Sequence, residues 1–178
     1  MTDLLPFTEI AHLFQDFEHT AWRLESQQGY ASDRDSPKWA RWKAGQDLLA
    51  EPADEWRLNV ARQVALGKRF ERVRIVDAPP TEGQRFLLAS GLGNVAAGED
   101  IRNLDRVTAA RLRLPVEDFW IFDSRLVVRF AFTEAGEMLG VTTTEAPEDV
   151  LRACQIRDAA WHHAVRTAEY QSRVPSDA

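Results

Sequence analysis

Hydrophobic positions recur with a helical period near the start of the chain, and with an alternating one soon after. Ile10, Leu13, Phe14 and Phe17 fall at i, i+3, i+4 and i+7, so residues 8–17 are predicted to form an amphipathic helix capped by Thr8. Over residues 20–25 the period drops to two. Trp22 and Leu24 alternate with Ala21, Arg23 and Glu25, the pattern of a strand with one face covered. Ser36-Pro37 is a cap followed by proline at the first helical position, giving a short helix with Trp39 and Trp42 that ends at Gly45. The next helix starts near Asp54, carries Trp56, Val60 and Val64 on one stripe, and stops at Gly67. Residues 68–76 follow as a strand: Val73 and Ile75 share one face, while Arg72 and Arg74 share the other with Phe70 and Val76. Two arginines on an otherwise apolar strand face are the first anomaly.

Pro79-Pro80 breaks the chain, and Thr81 with Gln84 three residues on forms a capping box for a helix expected to end at residues 91–93. Residues 94–101 read as strand plus turn, and 105–112 as a short helix stopped by Pro115. Residues 118–122 read as a strand, Asp123-Ser124 as a turn, and Leu126, Val128, Phe130 and Phe132 alternate along the returning strand. TEAGE then turns into MLGVTTT, which completes an antiparallel three-stranded meander. From Pro147 to about Tyr170 a long helix is expected, with Leu151, Cys154, Trp161, Val165 and Ala168 as its apolar stripe. The expected fold is α+β: one domain over residues 1–172, a mainly antiparallel sheet covered on one side by helices, and a disordered tail over 173–178.

Composition narrows the function classes. The chain has 178 residues, 44% of them apolar and 28% charged, and no apolar run approaches the roughly 18 residues of a spanning helix. No basic segment followed by an apolar core opens it, so a cytoplasmic protein is expected. The formal charge of −6 repels phosphate backbones and argues against direct nucleic-acid binding. Cys154 has no second cysteine to pair with and is expected as a buried thiol.

Several motifs fail on spacing. GLGNVAAG gives G-x-G-x-x-x-x-G after a predicted helix, not the dinucleotide fingerprint between strand and helix, so its glycines are expected to serve unusual backbone angles. His162 and His163, adjacent on a helix, diverge by about 100° and cannot chelate one ion together. No H-E-x-x-H, cysteine pair or G-x-S-x-G is present, so no metal or cofactor is expected. Asp158 falls on the expected apolar stripe of the last helix and needs a partner there; a helix-to-sheet clamp and a pocket acid both fit. Arg57, Arg62, Lys68, Arg69, Arg72 and Arg74 form a basic stretch broken only by Glu71. Its arginines either pair with acids such as Glu99 and Asp100 or meet an anionic ligand. Asp118 and Asp123 lie an odd number of residues apart on one strand, so they point to opposite faces and cannot flank one substrate.

HTAWRLES with Tyr30, ERVRIV, NVAAGEDIR, LPVEDFWIFDSRLVVRF and RDAAW together resemble an actinobacterial family known as a domain of unknown function. The resemblance spans most of the chain. It falls on His19, Trp22, Arg23, Glu25, Tyr30, Gly98, Glu99, Asp100, Arg102, Asp118, Phe119, Trp120, Asp123 and Asp158; Asp105 departs from it, where a proline is expected. The family brings no established reaction, and its members resemble gene neighbours of helix-turn-helix regulators, which implies a regulatory accessory. The fold is also similar to phospholipase-D-like sheets, but no histidine here is followed two residues later by lysine, so that likeness is architectural only.

The leading expectation is a non-catalytic binding module working with such a regulator. Its expected binding residues are His19, Arg23, Arg72, Arg74, Glu99, Asp100, Arg102, Asp118, Trp120 and Asp158, and its expected ligand is an anionic small molecule. The rival is a small enzyme in which His19 acts as acid or base, oriented by Glu99 or Asp100.

Overall fold

A computed structural model describes residues 3–173. The described residues form a seven-stranded sheet in the order β6-β5-β4-β1-β2-β3-β7. Its strands are β1 (Thr20–Glu25), β2 (Arg69–Val76), β3 (Asp100–Asp105), β4 (Asp118–Phe122), β5 (Leu126–Phe132), β6 (Met138–Thr144) and β7 (Val165–Arg166). β1, β2 and β3 run parallel, whereas β4 to β6 form the expected antiparallel meander, joined to the parallel block where β4 lies antiparallel to β1. The α+β class and the meander hold. What periodicity left out is the parallel centre, because strand order depends on crossovers and not on the alternation within each strand.

Helices cover both faces of the sheet rather than one. On one face Trp22, Leu24, Val73, Ile75, Leu104, Phe119 and Ile121 pack against α6 (Arg106–Arg111) and α7 (Pro147–His163), through Ala109, Ala153, Ile156 and Ala160. On the other, Ala21, Phe70, Trp120, Phe122 and Val128 pack against α1 (Leu13–Asp16) and α4 (Glu55–Ala65), through Phe14, Phe17 and Val60. Between these helices lie α2 (Ala31–Arg34) and α3 (Pro37–Lys43), and α5 (Glu82–Ala97) follows β2.

Local capping follows the sequence closely. The side chains of Ser36, Asp54 and Thr81 accept from the backbone N–H groups of Trp39, Arg57 and Gln84, and the Thr81–Gln84 capping box is complete. Three helix boundaries differ. The expected helix over 8–17 is split into a 3₁₀ turn, Phe7–Glu9, and α1, although Ile10, Phe14 and Phe17 are buried as its period required. α5 runs through Gly91 and Gly93 to Gly98, whose φ of +114° ends it in the left-handed region. A Cβ at Gly91 would sit 3.2 Å from Arg74 Nη1 and one at Gly93 2.8 Å from Arg57 Nη1, so those two glycines make room for arginines and do not serve unusual angles. The long last helix stops at His163; β7 and α8 (Thr167–Arg173) follow. Residues 174–178 of the expected tail lie outside the described residues.

α7 also faces the sheet with a different stripe. Ala153, Ile156, Ala160 and Ala164 are buried, while Leu151 is 60% exposed and Cys154 only half-buried. Small residues let the helix approach the sheet closely, and the large ones flank it. A stripe chosen by side-chain size was therefore out of phase.

Candidate functional site

Parallel pairing of β1 with β2 sets Arg23 beside Arg72 and Glu25 beside Arg74, and antiparallel pairing of β1 with β4 sets Trp120 on the other side of Arg23. All five side chains belong to one face. Glu25 is fully buried and accepts from Arg72 Nη1 at 2.5 Å and from Arg74 Nε, and Arg23 Nη1 lies 3.6 Å from it. Arg72 Nε donates to Glu99 at 2.7 Å, and Glu99 also accepts from Trp56 Nε1 at 3.2 Å. Arg74 Nη1 donates to the Leu87 carbonyl at 2.7 Å. Burial alone would raise the Glu25 pKa, but the charges of Arg74, Arg72 and Arg23 outweigh it and hold the carboxyl well below its ordinary range.

Asp118 opens β4 and is likewise buried. It accepts from Ser26 N at 2.7 Å, Ser26 Oγ at 3.1 Å, Arg23 Nη2 at 3.0 Å and the Tyr30 hydroxyl. Burial keeps the Tyr30 pKa well above normal despite the Arg23 charge, with Glu25 and Asp118 adding to the effect, so the phenol stays protonated and donates. This carboxylate thus fastens residues 26–30 over the end of β1.

These groups border a cavity of about 520 Å³, within the range of roughly 300–1,000 Å³ usual for small-molecule sites. Arg23, Glu25, Arg72 and Arg74 line it, with Phe14, Tyr30, Trp56, Trp120, Phe130 and Phe132 as aromatic walls. Glu99 and Asp118 are not in the lining; they stand behind the arginines. Asp33 and the Lys38–Asp54 pair, at 2.7 Å, complete the rim. Burial and the Glu25 charge push Asp33 up to about 6, against the pull of Arg23, Arg74 and Lys38. Arg23 lies 5.5 to 5.8 Å from the ring centroids of Tyr30, Trp120 and Phe130, so aromatic faces hold its guanidinium in place.

A larger cavity, about 610 Å³, lies at the C-terminal ends of β2 and β3. Its acids are engaged: Asp77 holds Arg106, Gln28 and Gln84, and Asp105 holds Tyr170. The smaller cavity is the better candidate because the buried charges open onto it.

Of the expected site residues, Arg23, Arg72, Arg74 and Trp120 line this cavity, and Glu99 and Asp118 back it. The other four do not reach it. Alternation along β3 sends Asp100 and Arg102 to the opposite face, where Arg102 covers the Trp161 ring at 3.7 Å and pairs with Asp100 at 3.3 Å. The side chain of His19 is 78% exposed with Glu18 beside it, so it cannot act with Glu99. Asp158, two residues past buried Ile156, is 71% exposed and pairs with Arg157. Asp123, with φ of +54°, accepts from the backbone N–H groups of Glu18, His19 and Thr20, a turn role as its sequence indicated. Sequence reasoning missed Glu25, Tyr30, Asp33 and Trp56 as cavity residues. For Glu25 a signal existed, since it shares a strand face with Arg23; for Asp33, within ASDRDS, none did.

The family model described as "Domain of unknown function (DUF6879)" matches residues 8–172. No curated protein matches the chain. Among solved structures, NucT from Helicobacter pylori is similar, with a TM-score of 0.54 and 10% identity over 92% of this chain and 96% of that one. Such low identity shows a common fold and nothing about chemistry.

Proposed function

The chain belongs to the family described as Domain of unknown function (DUF6879), and on that premise we propose that it is a non-catalytic binding module. Its cavity takes a small molecule with an aromatic or apolar body and an anionic group. The anionic group meets Arg23, Arg72 and Arg74, while the body lies among Trp56, Trp120, Phe130 and Phe132. One observation carries this reading: buried Arg72 and Arg74 and mostly buried Arg23 line an aromatic-walled cavity, whereas two of their three carboxylate partners stand behind the lining. The module acts in the cytoplasm as an accessory to a helix-turn-helix regulator, a role supported by the sequence resemblance.

A thermal-shift screen of aromatic carboxylates, sulfonates and phosphates tests the cavity. A compound at about 100 times its Kd stabilises the native state by about 2.7 kcal/mol, and Ser90→Trp, which fills the cavity from α5, abolishes the shift. No shift across the panel with folded protein overturns the reading. Failure to co-elute with a co-encoded regulator removes its regulatory half.

A further inference from the structure

The cavity holds charges of both signs that lack full partners. The described residues leave Arg23 Nε and Asp33 Oδ2 buried without a hydrogen bond, and both residues line the same cavity. Native folds satisfy nearly all such atoms, so an orphaned donor and an orphaned acceptor together need an explanation. The Arg23 guanidinium has committed Nη2 to Tyr30 and Asp118, and its Nη1 has only the 3.6 Å approach to Glu25.

Charge balance points the same way. Arg23, Arg72, Arg74, Lys38 and Arg57 stand against Glu25, Glu99, Asp118, Asp54 and Asp33, five cations to five acids. A purely anionic ligand would therefore add negative charge to a site already balanced, next to a carboxylate with no cation of its own. A ligand that carries a cation as well as an anionic group adds no net charge and gives Asp33 a direct partner, and burying matched charges costs far less than burying a lone one. We propose that the ligand is a zwitterion: a flat apolar or aromatic body carrying an anionic group for Arg23 and a protonated amine for Asp33. This rests on the cavity reading above and names the ligand class.

The Asp33 carboxyl, raised to about 6, faces Glu25 and Arg23 of β1, Arg74 of β2 and Lys38 of α3. Ionisation of Asp33 supplies the amine's counter-charge, so affinity rises as pH increases through that value.

L-tryptophan, tryptamine and indole-3-propionate serve as probes, with binding to the full chain measured by calorimetry. At about pH 7.5, L-tryptophan binds about tenfold or more tighter than either analogue, because tryptamine leaves Arg23 Nε without an acceptor and indole-3-propionate leaves Asp33 Oδ2 without a donor. Asp33→Asn reduces L-tryptophan to the level of indole-3-propionate and leaves indole-3-propionate itself unweakened; a melting temperature no lower than the parent's confirms that the fold is intact. Equal binding of indole-3-propionate and L-tryptophan, or retention of L-tryptophan affinity by Asp33→Asn, overturns the zwitterion. If no probe binds while aromatic acids still stabilise the protein, the zwitterion falls and the cavity reading stands; if nothing binds, both fall.

Discussion

The two faces of the central sheet are built from the same strands and each buries an apolar cluster, but only one of them adds a group of buried charges. Toward α6 and α7, residues such as Trp22, Leu24, Val73 and Ile121 form an apolar layer against alanines and Ile156. Toward α1 to α5, the alternate residues of β1 and β2 begin apolar, with Ala21 and Phe70, and continue as Arg23, Glu25, Arg72 and Arg74, all buried or nearly so. Burying an arginine or a glutamate costs several kcal/mol per ion even when it is paired. A scaffold needing stability alone is better served by the apolar arrangement it already has on its other side. The cavity lies on the charged face, which is why the proposed site is placed there.

Glu25 is the residue on which the charged face depends most. Glu25→Gln leaves Arg72 and Arg74 without their shared counter-charge and is expected to cost about 3–5 kcal/mol in urea unfolding, the penalty of an uncompensated buried charge. On the apolar face, Ile156→Ala is expected to cost about 2–4 kcal/mol through lost burial and the void it leaves. If Glu25→Gln costs less than Ile156→Ala, the charges are not closely coupled. Replacing Arg72 by Met and Glu99 by Leu together is expected to cost about 1–3 kcal/mol less than the sum of the single changes, since neither charge is then left alone.

Acid titration sharpens the contrast within the charged face. Asp33 has its pKa raised from 3.8 to about 6, chiefly by burial. The neutral acid is therefore the form the fold favours, and its contribution is full below about pH 4 and lost as pH rises through 6. Glu25 behaves oppositely. Burial is outweighed there by Arg74, Arg72 and Arg23, so its contribution is present above its ordinary value of 4.5 and lost as pH falls below it. Stability from these two groups peaks between those ranges, and Asp33→Asn removes the decline on the alkaline side, an effect of about 1–2 kcal/mol. The smallest effect belongs to Asp158→Ala. Its exposed pair with Arg157 predicts a change below about 0.5 kcal/mol, and a larger loss would restore the clamp that the sequence suggested.

Legibility differed between elements for identifiable reasons. β1, β4 and the caps at Ser36, Asp54 and Thr81 follow from local rules, and the structure keeps them at the expected residues. The candidate site was readable in half. Arg72 and Arg74 stand out as charges on an apolar strand face, but the grouping of Glu99 with Asp100 fails because Asp100 opens β3 opposite Glu71 and so leaves on the face away from Arg72. Asp158 was misplaced because large side chains defined the stripe of α7, when its alanines are what meet the sheet.

Alternation and capping, which depend on neighbours a few residues apart, were determined by the sequence itself: where β1 and β4 begin, which side chains share a strand face, and that some of those faces carry charge. Tertiary structure decided the rest. Only the parallel pairing of β1 with β2 brings Arg23, Glu25, Arg72 and Arg74 together, and only the folding of residues 26–38 over them sets Tyr30 and Asp33 at the cavity. Those contacts join segments about 50 to 90 residues apart, and no local period encodes which distant partner will balance a buried charge.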